Sequence, residues 1–145
     1  MGLPLLIAAD HAGFELKESL KQSLDRRGLA YRDLGTNSGD SVDYPDFAHR
    51  LADAVARGEA ERGLLVCGSG QGMAMAANRH HGVRAALALD EESARLSREH
   101  NDANVLALGA RLLEPDRAER ILDVFLATPF AGGRHERRVS KIEPA

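Results

Sequence analysis

Five short apolar runs separated by amphipathic stretches constrain this chain more than any other feature. Three are nearly unbroken: "PLLIAA" at 4–9, "GLLVC" at 63–67 and "NVLALG" at 104–109. Runs of this length without polar alternation read as strands buried on both faces. "LAYRDLG" (29–35) and "RAALAL" (84–89) complete the set. The intervening stretches switch to helical spacing. Phe14, Leu16, Leu20 and Leu24 recur on one face, and Gly28 sits where a C-terminal cap belongs. Pro45 fits a first helical position, and Phe47, Leu51 and Val55 form the next stripe, ended by Gly58. "MAMAANRH", "DEESARLSREHN" and "EPDRAERILDVFLAT" supply the remaining helices. This alternation predicts an α/β fold: a five-stranded parallel sheet with helices on both faces, in a single domain. In such sheets ligands bind beyond the carboxyl ends of the strands, where the strand order reverses. Three places therefore matter: Asp10–His11, Cys67–Gly72 and Asp90.

Bulk chemistry narrows the partners. The 145 residues suit one domain and can bury a core without disulfides or a metal. A net charge of −3 gives no nucleic-acid or membrane footprint, and 4% aromatic residues offer no base-stacking platform. No apolar run nears the roughly 18 residues that span a bilayer. "MGLPLLIAADH" lacks a basic leader and reaches Asp10 too early for a signal peptide. With one cysteine, the composition fits a reducing compartment, and a cytoplasmic location is expected.

The stretch "GLLVCGSGQGMAMAANR" (63–79) holds that cysteine, Cys67, followed by Gly68, Gly70 and Gly72. Glycines between a buried strand and a helix put backbone N–H groups near a ligand, which favours an anion or oxyanion. A P-loop also needs a lysine and a hydroxyl after its second glycine, and no lysine is present. A dinucleotide fingerprint needs G-x-G-x-x-G, whereas the chain has G-x-G-x-G; Asp90 stands where a ribose-binding acid belongs, so a small nucleotide-binding module remains an alternative. A thiol phosphatase needs an arginine closing the loop, and none occurs before Arg79. Cys67 itself reads equally as a small buried hydrophobe or as a thiolate base beside a helix N-terminus.

None of the six histidines pairs at the i, i+4 spacing of a helical metal site, so no metal is expected. His49 reads as a surface residue, and His80 and His81 follow a helix end, where cations are favoured. His11 and His100 lie near strand ends or polar turns and are the better site candidates. In "GGRHERRVSKI", Arg134 and Arg138 are four apart, so on a helix they share one face and can bind a phosphate. A solvated basic tail is the plainer reading of the same residues.

Taken together, "AADHAGFELK" (8–17), "DYPDFA" (43–48), "GLLVCGSGQGMAMAANR" (63–79), "RAALALDEESARLSREHNDANVLALGAR" (84–111) and "GGRHERRV" (132–139) resemble the ribose/galactose isomerase family over almost the whole chain. The resemblance implies a doubly wound, Rossmann-like sheet and one sugar-phosphate isomerase domain spanning 1–145, whose tail (132–145) contributes phosphate-binding arginines. It implies interconversion of an aldose phosphate and its ketose phosphate without metal or organic cofactor. Ribose 5-phosphate is the leading substrate, with allose or galactose 6-phosphate as alternatives. Family members use a cysteine base at the strand end or a glutamate slightly later; here Cys67 is present and Met73 stands at the glutamate's place. By the same resemblance Ser69 and the amides around Gly68, Gly70 and Gly72 form an oxyanion hole, His100 opens the sugar ring, and Asp10 bonds sugar hydroxyls. Tyr44 and Asn101 position the sugar, while His11, Arg134, Arg138 and Arg111 hold the phosphate. The family's sites lie between two subunits, which implies a homodimer in which His100 and Asn101 face Cys67 of the other chain.

Overall fold

In a computed structural model, described over residues 2–145, the elements follow one another as β1 (Leu5–Ala9), α1 (Phe14–Arg26), β2 (Tyr31–Asp33), α2 (Tyr44–Ala56), β3 (Gly63–Cys67), α3 (Gln71–Ala77), β4 (Ala85–Leu87), α4 (Glu91–Asn101), β5 (Val105–Gly109), α5 (Pro115–Ala127) and α6 (Arg134–Val139). The strands form one parallel sheet in the order β2-β1-β3-β5-β4. The three unbroken apolar runs are the three central strands, and every residue of each is buried. The two weaker runs are the edge strands, shorter than their sequence suggests. β2 ends where Gly35 turns the chain at φ 103, and β4 gives way to the cap of α4.

Alternate residues of the central strands serve two cores. Ile7, Ala9, Leu64, Val66, Leu106 and Leu108 meet Leu16, Leu20 and Leu24 of α1 and Ile121, Leu122 and Phe125 of α5. Leu6, Ala8, Leu65 and Cys67 meet Phe47, Ala48, Leu51 and Val55 of α2 and Met73 and Ala77 of α3. Helices therefore cover both faces, as the sequence predicts. α6 packs on α4. Asn78, just after α3, closes part of the open edge of β4: its Oδ1 accepts the Ala85 N–H at 2.7 Å and its Nδ2 donates to the Ala85 carbonyl at 2.9 Å. No helix among the described residues is long and apolar enough to cross a membrane.

Candidate active site

β1 and β3 lie side by side, but their exits diverge. β1 feeds α1 on one face, and β3 feeds α3 on the other. The crevice between diverging exits is the general ligand position of such sheets. Here it is a cleft of about 310 Å³ lined by Asp10, His11, Ala12, Tyr44, Cys67, Gly68, Ser69, Gly72 and Arg111.

Cys67 is the last residue of β3 and is buried. The turn after it is shaped by Gly70, whose φ of 80 and ψ of −16 swing its N–H back to donate to Cys67 Sγ at 3.2 Å. The positive φ is strained for any other residue, and a Cβ here would lie 3.0 Å from the Leu108 carbonyl carbon and 2.6 Å from Leu87 Cδ1, so the turn favours glycine. The Gly70 amide was expected among the oxyanion donors; it points at the sulfur instead. The Gln71 N–H donates to Ser69 Oγ at 3.3 Å, which fixes that hydroxyl at the mouth of the turn. Met73 is fully buried in the same core cluster as Cys67.

The exit of β1 supplies Asp10 and His11. Asp10 is buried, and its Oδ1 accepts the Gly13 N–H at 3.0 Å, which ties it to the entry of α1. His11 Nδ1 lies 3.1 Å from the Val42 nitrogen and 3.2 Å from the Val42 carbonyl oxygen, so either tautomer keeps a bond to the loop before α2. Tyr44 opens α2, one residue before the proline expected there, and its ring covers Gly72. Arg111 arrives from β5. The Ala110 N–H donates to the Cys67 carbonyl at 2.8 Å and the Arg111 N–H to the Gly68 carbonyl at 2.9 Å, which lays the guanidinium over Gly68.

The other predicted residues gather elsewhere. His100 and Asn101 end α4, and Arg134 and Arg138 lie on the six-residue α6, so the helix that their spacing permits does form. None of the four lines the cleft. Asn101 instead borders a separate cavity of about 350 Å³ with Asn78, Arg84 and Ile142. The His100 ring stacks on His135, with centroids 4.4 Å apart and planes 15° apart. Desolvation pushes the His135 imidazole below its ordinary pKa, helped by the positive charges of His100, Arg134 and Arg138 and opposed by Glu99. His135 was not singled out from the sequence, since its partner is remote in the chain. The exposed His49 and the half-buried His80 also meet, with Nδ1 and Nε2 2.8 Å apart.

The nucleotide-binding alternative loses its footing here. The Asp90 carboxylate accepts the Ser93 N–H at 2.7 Å in a capping box, so it serves α4 rather than a ribose. Among the described residues no group of three or more side chains is arranged to hold a metal ion.

Comparison with known proteins adds a lineage to this geometry. The family model described as Ribose/Galactose Isomerase matches residues 5–142. Ribose-5-phosphate isomerase B of Escherichia coli is 44% identical over 138 residues, covering 95% of this chain and 93% of that protein. The crystal structure of a ribose 5-phosphate isomerase from Thermotoga maritima superposes with a TM-score of 0.96 at 50% identity, covering 99% of each chain. A Mycoplasma genitalium ribose-5-phosphate isomerase B, solved with bound ribulose-5-phosphate, superposes with a TM-score of 0.94 at 43% identity, covering 98% of this chain and 95% of that one.

Proposed function

Because the chain belongs to the ribose/galactose isomerase family, we propose that it interconverts ribose 5-phosphate and ribulose 5-phosphate through an enediolate, with Cys67 as the base. The observation that carries this reading is the Cys67 sulfur in the crevice between β1 and β3, held by the Gly70 N–H and faced by a carboxylate, an imidazole, a phenol and a guanidinium.

Aldose–ketose isomerisation moves one proton from C2 to C1. The Cys67 thiolate takes the C2 proton of the open-chain aldose. The electron pair left behind forms the C1–C2 double bond, and the carbonyl oxygen on C1 takes up the charge. The same sulfur then returns the proton to C1 while the C2 oxygen becomes the carbonyl. One base suffices because the two carbons are adjacent. Asp10, already fixed by the Gly13 N–H, moves the hydroxyl proton between the two oxygens. Ser69 and the amides around Gly68 and Gly72 hold the enediolate oxygen, since the Gly70 amide is engaged by the sulfur. Preorganised donors of this kind typically contribute about 10²-fold or more in kcat each. His11 and Arg111 bound the cleft, where they meet the phosphate, and Tyr44 positions the sugar.

One chain supplies only part of this machinery. His100, Asn101, Arg134 and Arg138 lie together on α4 and α6, away from the cleft. We infer a homodimer in which these residues reach the cleft of the partner subunit. There His100 opens the furanose ring, Asn101 orients the sugar and the two arginines complete the phosphate site.

Turnover of Cys67→Ala at saturating ribose 5-phosphate tests the central claim. A positioned proton-transfer group contributes roughly 10²–10⁴-fold, so kcat should fall by at least about 10²-fold. A near-wild-type kcat would remove Cys67 from the mechanism. Comparing kcat/KM for ribose 5-phosphate with that for allose and galactose 6-phosphates tests the choice of sugar, and a pentose preference is expected.

A further inference from the structure

Among the described residues Lys17 is the one fully buried charged side chain, and the isomerisation proposed above gives it no role. Its Nζ lies 2.6 Å from Asp33 Oδ2 and 3.0 Å from Glu18 Oε2. Lys21, one helical turn along α1, reaches the same Asp33 oxygen at 2.8 Å. Burial would raise the Asp33 pKa, yet the hydrogen bonds from both lysines and from the Gly35 N–H outweigh it and hold the carboxyl below its ordinary value. A buried ion pair is seldom more stabilising than apolar side chains of the same size, so its presence asks for a reason other than stability.

The second oxygen of Asp33 suggests that reason. Oδ1 accepts the Gly35 N–H at 2.9 Å and so shapes the turn at 34–36. This turn clasps the end of β1: the Ala9 N–H donates to the Gly35 carbonyl and the Thr36 N–H to the Ala9 carbonyl, both at 2.8 Å. Its other side meets α2. Arg50 Nη1 donates to the Leu34 carbonyl at 2.8 Å, and a Cβ on Gly35 would lie 2.8 Å from the Phe47 ring. Asp10 and His11 directly follow Ala9, and Tyr44 opens the helix that carries Phe47 and Arg50. The far end of the same loop is tied to His11 through Val42.

We propose that Asp33, oriented by Lys17 and Lys21, is a positioning residue for the isomerisation: it sets the 34–36 turn, and the turn sets the spacing between His11 and Tyr44 across the cleft. This rests on the function proposed above. It predicts that a defect at Asp33 damages substrate binding more than proton transfer, because Cys67 and its glycine turn hang on β3 and α3, and Asp10 is held independently by the Gly13 N–H.

Two double variants separate positioning from bulk stability. Lys17→Met/Asp33→Asn removes both charges but leaves an oxygen for the Gly35 N–H. Lys17→Met/Asp33→Leu removes the charges and the oxygen together. Both are assayed with ribose 5-phosphate well below their melting temperatures. Small displacements of binding groups cost one to two orders of magnitude, so the leucine variant should show KM raised about tenfold, kcat within about threefold, and an unchanged rate of Cys67 alkylation. The asparagine variant should keep KM within about twofold. Equal KM values in the two variants would overturn the proposal, since a brace that only affects melting moves neither. Should the leucine variant not fold, amide exchange in the wild-type protein decides. The Gly35 and Val42 amides must exchange together as one unit, and independent exchange overturns the proposal. A wild-type protein that does not turn over ribose 5-phosphate would sink the proposed function instead, and the exchange result would still report on the loop.

Discussion

The cleft around Cys67 and the surface formed by α4 and α6 hold the same kinds of polar side chain but are built in opposite ways. In the cleft, short side chains sit on strand ends and are fixed by backbone amides: Gly13 to Asp10, Gly70 to Cys67, Gln71 to Ser69 and Val42 to His11. On the α4–α6 surface, long cationic side chains project from a short helix with no buried residue, steadied by the stack of His100 on His135. Proton abstraction tolerates little displacement, whereas a phosphate can be met by flexible arms. Under the roles proposed above, proton abstraction falls to the rigid cleft, while ring opening by His100 and part of the grip on the phosphate fall to the α4–α6 surface.

The strongest way to break this comparison is complementation. Cys67→Ala and Arg138→Ala chains are each expected to be impaired alone. If the two regions meet across a dimer, a randomised mixture assayed well below KM should reach about a quarter of wild-type activity, against roughly a tenth for Arg138→Ala alone and almost none for Cys67→Ala, because half the dimers then carry one intact site of two. No recovery would mean that the regions do not work in trans. A smaller effect is expected within the cleft. Gly70→Ala forces a side chain onto a left-handed residue and against Leu87, so kcat should fall by roughly 10²-fold as the strained turn swings its N–H away from Cys67. Smaller again is Arg138→Ala measured by itself. KM should rise about tenfold, with kcat and melting temperature little changed, as fits a lost phosphate contact. Equal losses in kcat for Gly70→Ala and Arg138→Ala would erase the contrast between the regions.

The smallest effects are in the pH dependence of stability, where the two regions should separate by window. Asp33 has a folded pKa below its ordinary 3.8, so the unfolded chain binds more protons and the stabilisation, complete above that value, is lost as pH falls through the folded pKa. His135 is likewise depressed, from 6.5, so its contribution is present above 6.5 and fades as pH falls below it. Denaturation at a series of pH values should therefore show His135→Gln flattening the profile only from about pH 6.5 downward, and Asp33→Asn only near pH 4 and below. A change near pH 6 in the Asp33 variant would contradict this assignment.

Most of the sheet is readable from the chain because each central strand carries its burial in its own residues: "LLIAA", "GLLVC" and "VLALG" have no polar face to expose. The edge strands are overestimated because "LAYRDLG" and "RAALAL" hold apolar residues beyond the paired segment. Cys67, Asp10 and His11 are legible as strand-end residues, since parallel sheets bind ligands there. Lys17 is not legible. It lies next to the apolar stripe of α1 and resembles any solvated helix lysine until β2 brings Asp33 beneath it. The stacking of His135 on His100 escapes for the same reason, because the contact joins two helices that no local spacing rule relates.

The side-chain amide of Asn78 has a bearing on how this protein behaves in concentrated solution. A parallel sheet that ends in an exposed strand offers a row of unpaired backbone groups to any extended segment that drifts past. Asn78 satisfies both backbone groups of Ala85 from one side chain, so β4 meets a stranger with its first rung already occupied. The residue thus leaves one rung fewer on which templated strand addition could begin.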